Sequence, residues 1–165
     1  MKTQMPPKRT DSPDDFYTPD EAVAPILPYL KKEWKIWECA SGTGNIVNYL
    51  MGGGFKVFGT DIKTGEDFIT SNRDDFDCIV TNPPYSLKDK WLEKCFYLKR
   101  PFALLLPLTA LEGKKRQELY RKFGIQVILF NKRIQFIKGK GNWFPSVWIT
   151  HGLNLPKELN FVELE

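Results

Sequence analysis

Histidine is almost absent from the chain. His151 is the only one, and no partner with metal-ligand spacing stands near it, so a metal site is not expected. Cysteine is scarce as well. Cys39, Cys78 and Cys95 are odd in number and lack any CxxC spacing, which excludes a disulfide framework and a zinc ribbon. Each lies in an apolar context and reads as a small buried hydrophobe. Long apolar runs are missing too. The longest uncharged apolar stretch, 101–111, is interrupted by Pro107 and falls well short of the ~20 residues that span a bilayer. The first fifteen residues carry charges and prolines but no apolar h-region, so a secretory leader is not expected and the cytoplasm is the default compartment.

What remains is an ordinary globular composition, 42% hydrophobic and 27% charged over 165 residues, which suits one domain with one core. The net charge of +4 says little, but its distribution says more. Residues 113–141 hold nine Lys or Arg against one acid, Glu118, a local charge of +8. A concentrated basic surface is the electrostatic footprint of a polyanion partner.

Residues 1–15 read as a flexible N-terminal arm, residues 16–155 as the domain, and residues 156–165 as a C-terminal tail. Thr18 followed by Pro19, with Glu21 three positions on, predicts a capped helix from Pro19 to about Lys32, kinked or shortened by Pro25 and Pro28. Apolar runs at 34–39, 55–60, 76–81, 102–106, 125–130 and 147–153 predict strands. Helical spacing predicts helices after Gly44, over 87–99 and over 108–123. Strands alternating with helices indicate an α/β fold with a mostly parallel central sheet flanked by helices. Such sheets bind ligands at the carboxyl ends of their strands, where the strand order reverses. Four chemically suggestive clusters fall at such ends: Ala40 to Asn45, Asp61, Asn82 to Tyr85, and Leu108 onward.

The first cluster is Glu38-Cys39-Ala40-Ser41-Gly42-Thr43-Gly44-Asn45. Glycines between a strand and a helix let the backbone turn tightly and let a ligand approach closely. The three-glycine dinucleotide fingerprint is absent, which weakens the case for a pyrophosphate. Asp61 lies about twenty residues beyond, at the end of the next strand, where a carboxylate accepts both ribose hydroxyls of a nucleoside. A nucleoside without a pyrophosphate fits the pair. Asp67-Phe68 offers an acceptor for an adenine amino group with an aromatic face beside it; an exposed turn is the alternative for Asp67.

The sharpest signal is Asn82-Pro83-Pro84-Tyr85, directly after the apolar run 78–81. Consecutive prolines fix φ and restrict the residues before them, so the segment is rigid and its carbonyls are left available as acceptors. A planar amino group needs such acceptors, because its lone pair is delocalised and a poor nucleophile. The Asn82 side-chain oxygen and the Pro83 carbonyl would each take one N–H and localise that lone pair for in-line attack on a methyl carbon. Tyr85 offers a flat face for stacking. Orientation of this kind is worth up to roughly 7–11 kcal/mol at its limit. No acidic general base is required.

At these residues the sequence resembles the class I S-adenosylmethionine-dependent amino-methyltransferases with an Asn-Pro-Pro-Tyr motif, and in motif order the small adenine-N6 DNA methyltransferases. The resemblance covers about residues 16–153. It implies a Rossmann-like methyltransferase fold and S-adenosyl-L-methionine as cofactor. It implies cofactor contacts from Tyr17, Thr18, Pro19, Glu38, Ala40, Ser41, Gly42, Gly44, Asp61, Ile62, Asp67 and Phe68, and catalysis by Asn82, Pro83, Pro84 and Tyr85. Trp143 and Phe144, before the last predicted strand, resemble in placement an aromatic that packs against a flipped base, and core packing is the alternative. Cys39 stands where many relatives have proline. No separate target-recognition domain is evident, so recognition falls to residues 113–145 or to a partner.

The function expected is therefore methyl transfer to adenine N6 in nucleic acid, DNA favoured, with Lys114, Arg133, Lys138 and Lys140 gripping phosphates. RNA adenine N6 or guanine N2, and a protein glutamine side chain, present the same planar amino group and stay open. A binding protein that keeps the fold without catalysis is the reading from a different class; the intact glycines and tetrapeptide weigh against it.

Overall fold

A computed structural model of the chain describes residues 17–136 and 144–164. Its strands are β1 (Lys35–Glu38), β2 (Lys56–Gly59), β3 (Cys78–Thr81), β4 (Phe102–Pro107), β5 (Gln126–Phe130), β6 (Ser146–His151) and β7 (Leu159–Val162). The helices are α1 (Asp20–Val23), α2 (Asn45–Gly52), α3 (Lys88–Leu98) and α4 (Lys114–Phe123). The strands form one sheet in the order β2-β1-β3-β4-β6-β5-β7.

β3 and β4 are buried at every position, as continuous apolar runs in the middle of a sheet require, whereas β2 at the edge is only partly covered. β2, β1, β3 and β4 run parallel, β6 runs antiparallel to both its neighbours, and β7 runs parallel to β5. The expectation of a mostly parallel sheet flanked by helices is met. The reversal at β6 follows from the chain returning from β5 beside β4.

Alternate strand residues feed two cores, as the pleat dictates. Ile36, Val80, Leu105, Ile128 and Trp148 pack with Val23, Ile26, Ile46 and Leu50 on one face. Trp37, Ile79, Leu104, Val127 and Ile149 pack with Trp91, Leu92 and Phe96 of α3 on the other. The Trp148 indole N–H donates to the Ala22 carbonyl at 2.7 Å, tying α1 to the sheet. Cys39, Cys78 and Cys95 are buried free thiols, as expected. No helix among the described residues is long and apolar enough to cross a membrane.

Three local expectations are corrected. The helix after Pro19 is one α-turn, Asp20–Val23, continued as a 3-10 helix over Ala24–Tyr29, because Pro25 and Pro28 withhold the N–H donors that an α-helix needs. Residues 108–123 form a 3-10 turn, Leu108–Leu111, then α4, with Gly113 at φ +105 between them. The tail expected at 156–165 instead carries β7, whose register runs Val127 to Leu159 through Phe130 to Val162. The arm expected at 1–15 lies outside the described residues.

Candidate active site

The strand order reverses between β1 and β3: α2 and β2 fold to one side of β1, and β3 pairs on the other. Their carboxyl ends open a cleft lined by Tyr17, Thr18, Glu38, Ala40, Ser41, Gly42, Thr43, Asn45, Ile46 and Asn82. Six expected cofactor residues thus share one cavity wall with Asn82 of the expected catalytic motif.

The glycine turn is built for close approach. Gly42 and Gly44 take φ of +49 and +87, left-handed values that other residues rarely adopt. The turn lies against β2, where the Ser41 N–H donates to the Thr60 carbonyl at 2.9 Å. Gly59 makes this possible, since a Cβ there would stand 2.8 Å from the Ser41 Cβ. Asp61 completes the clasp: its carboxylate accepts from the Gly42 N–H and from the Lys63 N–H, each at 2.9 Å. The expected ribose acid is therefore also the strap of the glycine turn. Ile62 beside it is 66% exposed.

Glu38 lies at the floor. One oxygen accepts from the Ala40 N–H at 2.9 Å and from the Thr81 hydroxyl. Burial pushes its carboxyl up to about 8, with the nearby charge of Asp61 adding to the rise and the two hydrogen bonds opposing it. Thr81 was not anticipated from sequence; as the last residue of an apolar strand it gave no separate signal.

Thr18 does not cap α1. Pro19 is the N-cap residue, and no side-chain cap bond is made. Its hydroxyl instead accepts from the Asn82 Nδ2 at 3.0 Å, and its carbonyl accepts from the Asn45 Nδ2 at 3.4 Å. With Nδ2 so engaged, the Asn82 Oδ1 is buried without a hydrogen-bond partner among the described residues. An unmatched buried acceptor costs stability unless a ligand donor meets it.

Pro83 is buried and Pro84 partly so. Tyr85 opens a 3-10 turn, Tyr85–Leu87, and is only 8% exposed. Its ring meets Phe144 edge-on at 5.7 Å and Phe136 at 6.5 Å. Burial pushes the phenol up. Tyr85 thus meets protein rings where the sequence reading placed a substrate ring. Phe144, half-buried, stands next to the tetrapeptide and packs against the core cluster of that face. Phe136 was missed, because only the tertiary fold brings it to Tyr85.

Asp67 and Phe68 depart from expectation. Asp67 accepts from the Ile69 N–H at 2.9 Å within its own loop. Phe68 is 1% exposed, stacked on Trp91 at 4.2 Å and set edge-on to Trp37 at 5.4 Å, which makes it core. Lys114 at the start of α4 and Arg133 after β5 are exposed. Trp143, Lys138 and Lys140 lie outside the described residues.

The fold, with its cleft where β1 and β3 part, is the Rossmann-like one of the class I S-adenosylmethionine-dependent methyltransferases. No family model and no curated protein matches the chain by sequence. Among solved structures it is similar to a type I restriction-modification methyltransferase subunit from Streptococcus thermophilus, with a TM-score of 0.56 and 17% identity over 90% of this chain and 47% of that one. A modification subunit described as belonging to a type I restriction enzyme of Vibrio vulnificus gives a TM-score of 0.64 and 10% identity, covering 93% of this chain and 48% of that one. The 23S rRNA methyltransferase ErmE gives 0.58 and 11%, covering 83% and 69%. The likeness is one of fold, and the chain spans about half the length of the two restriction-modification subunits.

Proposed function

We propose that the chain transfers a methyl group from S-adenosyl-L-methionine to the exocyclic N6 amino group of adenine in nucleic acid, with DNA as the favoured substrate. The observation that carries the reading is the Asn82 Oδ1, a buried acceptor without a partner among the described residues, beside the glycine turn.

S-adenosyl-L-methionine, when bound, supplies an electrophilic methyl group on a sulfonium sulfur. The residues fit such a ligand. The glycine turn admits close backbone approach, Asp61 and Ile62 offer a carboxylate and an apolar surface for a nucleoside, and Glu38 offers a carboxyl to a cationic ligand. On the acceptor side, Asn82 Oδ1 and the Pro83 carbonyl each take one N–H of the amino group. The nitrogen becomes pyramidal and its lone pair points at the methyl carbon. Formation of the N–C bond would break the bond between the methyl carbon and sulfur, the sulfur keeping the electron pair as a neutral thioether, and the acidified nitrogen would then lose its extra proton to solvent. Preorganised acceptors of this sort are typically worth a few kcal/mol each. Tyr85, packed against Phe136 and Phe144, keeps the rigid tetrapeptide in place. An adenine in a duplex must leave the stack to reach the cleft.

The choice of nucleic acid is supported by the +8 charge of residues 113–141 and by the fold shared with two restriction-modification subunits. The fold is shared with an rRNA methyltransferase as well, so the test must offer both polymers. Labelled donor is incubated with the protein and single-stranded DNA, duplex DNA, RNA or a protein extract, and the products are digested to modified monomers. N6-methyladenine released from DNA is the expected result. Label confined to RNA or to glutamine would overturn the substrate, and no label in any acceptor would overturn the enzyme.

A further inference from the structure

We infer that Thr18 is a positioning residue for methyl transfer: its hydroxyl fixes the side-chain amide of Asn82 so that Oδ1, not Nδ2, faces the acceptor amino group. The inference rests on the function proposed above and assigns Thr18 a role beyond cofactor contact.

An asparagine amide presents an acceptor and a donor that are nearly alike in shape. Only one orientation helps here. With Oδ1 toward the substrate, the amide draws on an N–H of the amino group. With Nδ2 there, two donors confront each other and the nitrogen lone pair is consumed by a hydrogen bond. The structure holds the first orientation. Thr18 is 4% exposed, and its Oγ1 accepts from the Asn82 Nδ2 at 3.0 Å across 64 residues of chain. That contact holds Nδ2 on the Thr18 side and leaves Oδ1 buried and unmatched among the described residues.

Thr18 is itself held. The Asn45 Nδ2, on the first residue of α2, donates to its carbonyl at 3.4 Å, and Asn45 Oδ1 accepts from the Thr43 hydroxyl at 2.9 Å. Trp148 anchors the adjoining α1 through Ala22. The short helix after Thr18 thus serves the site from outside the sheet: it carries one hydroxyl to the catalytic amide and one carbonyl to the glycine turn.

The test compares Thr18→Val, Thr18→Ser and the unaltered protein in the methyl-transfer assay, with cofactor affinity measured by calorimetry. Valine keeps the shape and removes the acceptor; serine keeps the acceptor. Thr18→Val is expected to lower kcat by about tenfold or more while cofactor Kd moves less than about threefold, and Thr18→Ser is expected to recover kcat to within about threefold. The side-chain amide protons of Asn82, read by 15N NMR, should shift in Thr18→Val and not in Thr18→Ser. Unchanged kcat in Thr18→Val overturns the inference. So does a loss carried by cofactor Kd alone, or a loss in Thr18→Ser as deep as in Thr18→Val. An unaltered protein that methylates no acceptor overturns the proposed function and this inference with it, whereas an active one with a fully active Thr18→Val overturns this inference alone.

Discussion

Asp61 accepts a hydrogen bond from the Gly42 N–H at 2.9 Å, so the acid at the end of β2 and the glycine turn at the end of β1 form one unit. Removing the carboxylate therefore costs twice: it deletes the acceptor proposed for the ribose and frees the turn. Asp61→Ala should weaken S-adenosyl-L-methionine binding by about tenfold or more, given roughly 1.5–3 kcal/mol for hydrogen bonds to a charged group. Titration calorimetry reads it, and unchanged affinity would remove Asp61 from the cofactor site. Asp61→Asn should fall between, because it keeps one acceptor oxygen.

Asn82→Ala separates binding from chemistry. The variant leaves the glycine turn, Asp61 and Glu38 in place and deletes the acceptor proposed for the substrate amino group. The expected result is a fall in kcat of about 10²–10³-fold, the usual loss for a transition-state hydrogen-bond partner, with cofactor Kd within a few-fold. Near-normal turnover would show that another group orients the amino nitrogen.

Phe68 makes the opposite kind of prediction. Stacked on Trp91 and 1% exposed, it belongs to the core below the cleft. Phe68→Ala should cost about 3–5 kcal/mol of stability, as large aromatic truncations do. Phe68→Leu should cost less and keep the cofactor affinity of the unaltered protein. Denaturant titration checks the first, and calorimetry on the leucine variant the second. A folded leucine variant with a large loss of affinity would return Phe68 to the binding site.

Where sequence reading succeeded and where it failed has one physical origin. The strands up to β6 are apolar runs bounded by glycine, proline or charge, and local pattern alone marks them. The two motifs at the ends of β1 and β3 are equally local, because rigid prolines and permissive glycines act on their own backbone. β7 escaped notice because Leu159-Asn160-Phe161-Val162 is short and flanked by acids, and it becomes a strand only by pairing with β5. Phe68 was misread for the same reason: an aromatic after a turn acid looks available until Trp37 and Trp91 close over it. Thr18 shows the competition most directly. Locally it is a good N-cap, but the fold offers its hydroxyl an amide N–H 64 residues away.

The basic surface can be probed without changing the cleft. Lys114 and Arg133 are exposed and distant in sequence from the tetrapeptide. If both contact phosphates, neutralising the pair should weaken DNA binding and lower the magnitude of the slope of log K against log salt by roughly two, about one for each contact. Fluorescence anisotropy over a salt series measures the slope. A slope that does not change would remove these residues from the interface.

Glu38 links the site to pH. Burial lifts its carboxyl from 4.5 to about 8 in the folded chain, so the fold favours the protonated form. The stability this contributes is fully present below pH 4.5 and is lost as pH rises through about 8. The total change should be on the order of a few kcal/mol. Glu38→Gln keeps an acceptor for the Ala40 N–H and the Thr81 hydroxyl and has nothing to ionise. Denaturation at pH 5 and pH 8 should therefore show the unaltered protein losing stability relative to the variant. A cationic cofactor reverses the balance, because a positive charge beside the carboxyl favours ionisation. Binding near pH 7 should release part of a proton, visible as calorimetric enthalpies that vary with the ionisation enthalpy of the buffer. In Glu38→Gln that dependence should vanish, and its persistence would mean that another group ionises on binding.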